Sequence, residues 1–96
     1  MFDIEISEEF DNWLTNIRDG KAQKIVLKRI RTMSLGTLGK VRSLDGNLFE
    51  AKIDYGPGFR LYFLNKDKKI IILLCGGDKS TQKRDIEKAK KMAKEL

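Results

Sequence analysis

The sequence predicts one α+β domain: a small, largely antiparallel β-sheet packed against an N-terminal helical hairpin, with a C-terminal helix. Three observations carry this. Apolar residues alternate with polar ones in several short segments, the period-2 signature of strands with one buried face. Two stretches before residue 34 and one after residue 81 instead repeat their apolar residues at helical spacing. And Ile70 to Cys75 is apolar at every position, as a strand covered on both sides would be. At 96 residues the chain has room for a single modest core, and 41% hydrophobic content is that of a globular chain.

The elements follow in order. Phe2, Ile4 and Ile6 alternate with Asp3 and Glu5, giving a half-buried first strand. Ser7 is a helix cap, with Glu8 and Glu9 favourable in the first turn. Phe10, Trp13, Leu14 and Ile17 form the apolar stripe of that helix, which Gly20 ends; Trp13 reads as core. A second helix runs from about Lys21 to Met33 with Ala22, Ile25, Val26, Ile30 and Met33 on its stripe, and the short link predicts an antiparallel pair. After a loop at 34–39 come four strands: Lys40–Leu44, Leu48–Asp54, a strand from Phe59, and Ile70–Cys75. Asp45-Gly46 signals a hairpin turn, Gly56-Pro57-Gly58 a second turn, Asn65–Lys69 a third. The last strand is expected to end in a Gly76-Gly77 turn that presents Asp78, Lys79 and Gln82. A helix follows from about Thr81, with Ile86, Ala89, Ala93 and Leu96 on one side. The order is β-α-α-β-β-β-β-α, two helices cover one sheet face, and the other face is expected to stay partly open.

Charge narrows the function. The net charge is +6, but residues 1 to 20 hold six acidic residues against one basic, so the remainder carries +11. A chain polarised in this way attracts polyanions, or an acidic protein, to one side. There is no histidine and a single cysteine. Hence no internal disulfide, no zinc site of the usual kind and no ordinary general base is available; no cofactor is expected. No apolar run reaches the roughly 18 residues of a membrane span, and the acidic N-terminus lacks a signal-peptide pattern, so a cytoplasmic protein is expected.

Strand parity gathers the candidates. Lys40, Arg42, Lys52, Arg60 and Tyr62 all fall on the non-core side of their strands and can share one surface. Such a surface suits a phosphate backbone, and one reaction open to it is cleavage of RNA by its own 2′-hydroxyl, which needs cations on the phosphate, a base near the hydroxyl and an acid for the leaving 5′-oxygen. Arg60 is suited to a phosphate oxygen through its planar guanidinium. Lys52 and Lys79 would stabilise the transition state or, for a lysine whose charge its neighbours disfavour, move a proton. Tyr62 would stack on a base or donate a proton, and Glu50 and Asp78 are the carboxylates near enough to act as base. Lys52 has a plainer alternative as the ion-pair partner of Glu50 or Asp54. Lys83 and Arg84 lie nearer the site than the lysine run from Lys88 to Lys94, which reads as a solvated helix face. Gly76 and Gly77 are not a phosphate loop, since the Gly-x-x-x-x-Gly-Lys-Ser/Thr pattern is absent.

The combination of Phe59-Arg-Leu-Tyr-Phe63 after Gly-Pro-Gly with Leu73-Leu-Cys-Gly-Gly-Asp-Lys-Ser-Thr-Gln82 before Asp85-Ile86 resembles the RelE/ParE toxin superfamily. Within it the closest likeness is to the HigB-like addiction module killer proteins of type II toxin–antitoxin systems. The resemblance spans nearly the whole chain, including the Asn12-Trp13-Leu14 helix. It implies a RelE-like fold, a metal-independent endoribonuclease (mRNA interferase) that cuts messenger RNA on the ribosome, and a cognate helix-turn-helix antitoxin as partner. Matched by position, Arg60 takes the place of the family's phosphate-binding arginine, Lys52 that of a basic residue on the preceding strand, and Lys79 that of a basic residue after the last strand. Arg60, Lys79 and Lys52 are therefore the catalytic candidates. Lys40, Arg42, Tyr62, Gln82, Lys83 and Arg84 are the candidate RNA contacts. The chain lacks the histidines that some HigB-like enzymes use and the C-terminal tyrosine of several relatives. The general base is thus unassigned, and two other readings stay open: a ParE-like inhibitor of DNA gyrase that cuts no RNA, and a basic binding module without toxicity.

Overall fold

Alternation within the strands resolves into two chemically different sheet faces, each covered by its own helices. The computed structural model describes all 96 residues. The order is β1 (Asp3–Ile6), α1 (Glu8–Thr15), α2 (Gly20–Ser34), β2 (Val41–Asp45), β3 (Leu48–Ile53), β4 (Phe59–Lys66), β5 (Ile70–Asp78), a 3-10 turn (Lys79–Thr81) and α3 (Gln82–Lys94). The five strands form one sheet in the order β1-β5-β4-β3-β2. The β1–β5 pair is parallel and the other pairs are antiparallel. The α+β class and the largely antiparallel sheet are as the sequence predicts.

The first face packs under α1 and α2. Phe10 and Leu14 from α1 and Val26, Ile30 and Met33 from α2 meet Ala51, Ile53, Leu61, Phe63, Ile71 and Leu73 from the sheet. Ser7 caps α1 as expected, its Oγ accepting from the Phe10 amide at 3.0 Å and donating to the Leu74 carbonyl at 2.6 Å. The cap thereby ties the helix start to β5. Trp13 packs beside Phe10 and Phe59, with ring centroids 5.4 and 6.2 Å away, which bears out its reading as a core residue.

The helical hairpin needs correction. One side-chain hydrogen bond, from Gln23 Nε2 to the Leu14 carbonyl, joins the two helices; what they otherwise share is the sheet beneath them. Gly20 does not end the first helix, which stops at Thr15. It is the first residue of α2, whose N-cap is Asp19, with Oδ1 accepting from the amides of Lys21 and Ala22.

The second face is not open along its length. Ala89 of α3, with Ile86, Met92 and Ala93, packs on Leu48, Tyr62, Leu64, Leu74 and Cys75. Leu96 lies outside this contact and is exposed. The expectation of a partly open face is narrowed here: α3 begins after a three-residue 3-10 turn and folds back over the part of the face around Leu48, Leu64 and Leu74. The strand itself also departs from expectation: β5 runs on through Gly76 and Gly77 to Asp78, so the two glycines pair with β4 and do not form a turn. They serve close packing on opposite faces. A Cβ at Gly76 would overlap the Trp13 ring, and one at Gly77 the Asp85 carboxylate.

A β-bulge makes this possible. Tyr62 pairs with Cys75 but Phe63 pairs with Leu73, so Leu74 is the extra residue on β5. Beyond the bulge the parity inverts. Cys75 and Gly77 face α3, and Gly76 faces α1.

Candidate functional site

Register builds the site. On the α3 face, Arg42, Glu50, Tyr62 and Cys75 form one cross-strand row, and Lys52, Arg60 and Gly77 form the next. The first row is largely under α3. Of the second, Gly77 packs against Asp85 in the first turn of α3, while Lys52 and Arg60 lie at the end of the sheet by the 55–58 turn and the 3-10 turn.

Arg60 is the centre of this region. It is only 6% exposed. Its Nη1 donates to the Gly58 carbonyl at 2.7 Å, its Nε has no partner, and no carboxylate lies within ion-pair distance. The turn in front of it requires glycine twice over: Gly58 has φ 80°, and a Cβ there would stand 3.2 Å from Arg60 Nη1. A buried guanidinium without a counter-charge costs stability through desolvation. Its positive field instead reaches Asp78, whose carboxyl is held below its ordinary range chiefly by hydrogen bonding to Ser80 and to a smaller degree by Arg60.

Arg60, Lys52 and Lys79 converge. Together with Asp54, Tyr55 and the Gly56-Pro57-Gly58 turn they line one hollow of about 340 Å³. Lys79 makes no ion pair. Lys52 does, with Asp54 at 3.5 Å, and Asp54 also binds Lys40 at 2.9 Å. Asp54 is thus the single carboxylate in the hollow. The two lysines, Lys40 first, hold its carboxyl below the usual range, so it remains an anion that partly offsets the surrounding cations.

The other candidates distribute around this centre. Lys40 and Arg42 line a neighbouring hollow of about 160 Å³ that shares Lys52 with the first. Lys83 and Arg84 do not reach Arg60; they stand beyond the 3-10 turn, in a third hollow of about 390 Å³ with Ser80, Thr81 and Glu87. Tyr62 is fully buried beneath α3, so its assignment as a base-stacking RNA contact is corrected. Its hydroxyl faces the Glu50 carboxylate without a well-formed hydrogen bond, and burial first, then Glu50, push it far above the ordinary phenol range. Gln82 is likewise engaged: its Nε2 donates to Glu50 Oε2 at 2.9 Å.

Neither proposed carboxylate is placed to act as a base. Glu50 is 4% exposed and receives Arg42 Nε at 2.8 Å as well as Gln82. Burial alone would raise its carboxyl, but the hydrogen bonds from Arg42 and Gln82 and the Arg42 charge outweigh that and hold it below its ordinary range. Asp78 caps the 3-10 turn, accepting from the Ser80 amide at 2.8 Å and hydroxyl at 2.5 Å.

Asp54 is the ion-pair partner that the plainer reading of Lys52 allowed. Two further residues at the site went unnoticed as members of it. Tyr55 directly precedes the Gly-Pro-Gly turn, so its position next to that signal was available in the sequence. Arg29 gave none, being one polar residue among many on α2. Its guanidinium crosses from the helix to bind the carbonyls of Leu38 (3.0 Å), Lys40 (3.0 Å) and Lys52 (2.8 Å), fixing the backbone on which two of the site's lysines stand. Gly39 makes room for it, since a Cβ there would lie 2.8 Å from that guanidinium.

No helix of the chain is long and apolar enough to cross a membrane. No family model matches the chain. A protein of Haemophilus influenzae described as uncharacterized is 41% identical over 93 residues, covering 97% of this chain and 94% of the relative. With nearly full-length coverage on both sides at that identity, the chain belongs to the same family as this Haemophilus influenzae protein.

Proposed function

We propose that the protein is the toxin of a type II toxin–antitoxin system, a cytoplasmic RelE-like endoribonuclease that cuts messenger RNA on the ribosome without a metal. One observation supports the reading above the rest: Arg60 is a buried cation with no carboxylate partner, at the head of a hollow that Lys52 and Lys79 also line. Stability alone does not favour such a residue; an anionic ligand that completes its hydrogen bonding does.

In this reading the ribose 2′-hydroxyl attacks the adjacent phosphorus. A P–O2′ bond forms and the P–O5′ bond breaks, the proton lost from the 2′-hydroxyl being balanced by one delivered to the leaving 5′-oxygen, which leaves a 2′,3′-cyclic phosphate and a 5′-hydroxyl. Arg60 and Lys79 bind the non-bridging oxygens and stabilise the added charge of the pentavalent transition state. Lys52 is a further cation or proton-transfer group. The ribosome supplies much of the positioning, so the protein's own chemistry can be modest. A helix-turn-helix antitoxin would neutralise the protein in the cell.

The second reading, a gyrase inhibitor that cuts no RNA, is favoured by one observation. Glu50 and Asp78 are both tied up in hydrogen bonds, and Tyr62 is sealed beneath α3, so none of them is presented as a base. Mapping messenger 5′ ends after induction separates the two. Breaks inside codons that disappear in Arg60→Ala, with the variant folded and equally abundant, are the expected result. Intact messages accompanied by DNA breaks would overturn the nuclease, and undiminished growth arrest by Arg60→Ala would remove Arg60 from the mechanism.

A further inference from the structure

The hollow lined by Arg60, Lys52 and Lys79 holds one carboxylate, Asp54, directly after β3. A carboxylate repels the phosphate that those cations suit. Its ion pairs do not account for its presence, since pairs between exposed side chains add little stability. The two carboxylate oxygens are unequal. Oδ2 accepts from Lys40 Nζ at 2.9 Å, whereas Oδ1 has only the looser contact with Lys52 Nζ at 3.5 Å. The side chain is 54% exposed, so a ligand can reach it. The backbone on either side is held in place. Arg29 binds the carbonyls of Lys40 and Lys52, and the Tyr55 amide donates to the Ile53 carbonyl at 3.1 Å.

We propose that Asp54 makes the hollow selective for ribose: its Oδ1 accepts a hydrogen bond from the 2′-hydroxyl beside the phosphate that Arg60, Lys52 and Lys79 bind. Lys52 already touches Oδ1, so a phosphate held on that lysine stands next to the carboxylate. In RNA the donor nearest a 3′-phosphate is the 2′-hydroxyl on the adjacent ring carbon, the group by which a protein tells RNA from DNA. A deoxyribose offers no donor there. Its phosphate meets the Asp54 charge with no hydrogen bond to offset the repulsion, so one residue both favours ribose and penalises deoxyribose. Lys40 first, and then Lys52, hold the Asp54 carboxyl below its ordinary range. It is therefore an anion at neutral pH, and a hydrogen bond to an ionised acceptor is stronger than one to a neutral group. The anchored backbone fixes the acceptor's base before the ligand arrives, which lowers the cost of binding. The ligand class that follows is a ribonucleotide 3′-phosphate. The inference rests on the reading of this hollow as an RNA phosphate site.

Adenosine 3′-monophosphate and its 2′-deoxy analogue differ only in the hydroxyl and have no 5′-oxygen to expel from the phosphate, so neither is cleaved. Titrating each into the purified protein at low salt, with amide chemical shifts as the readout, tests the inference. The wild type should bind the ribo form about 3- to 10-fold more tightly than the deoxy form. Asp54→Ala should bring that ratio close to one, chiefly by tightening the deoxy form. Arg60→Ala should weaken both. A wild type that binds both equally overturns the selector, whatever any variant does. So does Asp54→Ala with the preference intact, or with both forms weakened alike, as a merely structural role would give. In each of those cases a loss of both ligands in Arg60→Ala leaves the phosphate site standing. No binding to either ligand, or binding that Arg60→Ala does not affect, overturns the selector and the phosphate site together.

Discussion

The two faces of the sheet are built from alternate residues of the same strands, yet they end in opposite physical states. On the α1–α2 side, Phe49, Ala51, Ile53, Leu61 and Phe63 meet two helices and leave no buried charge among them. On the α3 side, an apolar half around Leu48, Leu64 and Leu74 passes within one strand length into Glu50, Arg60 and Lys52. What separates the halves is where α3 begins. Gln82 starts the helix, and its first turns cover Tyr62 and Cys75 but not Arg60. One face is therefore spent on stability, and half of the other is left to carry charge that the fold alone does not need.

The comparison breaks most sharply if the closed face is emptied. Phe63 is fully buried and stacks on Phe49 with centroids 5.7 Å apart. Phe63→Ala should cost about 3–5 kcal/mol of unfolding free energy, read from urea denaturation, and any loss of activity should track the loss of folded protein. Arg60→Ala should do the reverse, removing activity from protein that remains folded. A mild effect of Phe63→Ala would mean that the closed face is not the main store of stability.

The next largest effect probes the fit of α3. Gly77 faces Asp85, whose Oδ2 accepts from Thr81 Oγ1 at 2.5 Å, and an added methyl would overlap that carboxylate. Gly77→Ala should cost about 1–3 kcal/mol by overpacking and should loosen α3, seen as faster amide exchange along that helix than along α2. Unchanged stability would mean that the helix does not depend on this close approach.

These cases explain what was legible beforehand. The closed face could be read position by position, because period-2 alternation in β3 and β4 is unbroken and the stripes of α1 and α2 have a single side. The convergence of Arg60, Lys52 and Lys79 was also legible, since parity puts Lys52 and Arg60 on one face and Lys79 directly follows the last strand. The α3 face was not. In a run that is apolar from Ile70 to Cys75 the bulge at Leu74 leaves no mark, so the sequence does not say which neighbour each glycine meets. Tyr62 was misplaced for a related reason: parity gives the face of a residue but not whether a later helix covers it. Arg29 escaped because its partners are backbone carbonyls, which no side-chain pattern announces.

The smallest effect concerns the boundary row between the two halves. Glu50 keeps its charge while buried, because Arg42 and Gln82 bond to it, and these bonds hold its folded carboxyl below the ordinary glutamate range against the opposing effect of burial. The unfolded chain therefore takes up this proton first as the pH falls, and stability rises with pH in that range. The stabilisation is fully present above the unfolded value and is lost as pH falls through the folded one. Asp54 and Asp78 are depressed in the same direction, so Glu50→Gln should flatten the acid limb without abolishing it. At neutral pH it should cost about 1 kcal/mol, the amide still being able to accept from Arg42. Urea midpoints from pH 3 to 7 provide the check: a variant whose acid limb is as steep as the wild type's would show that Glu50 is not the carboxylate through which the polar half of this face is coupled to folding.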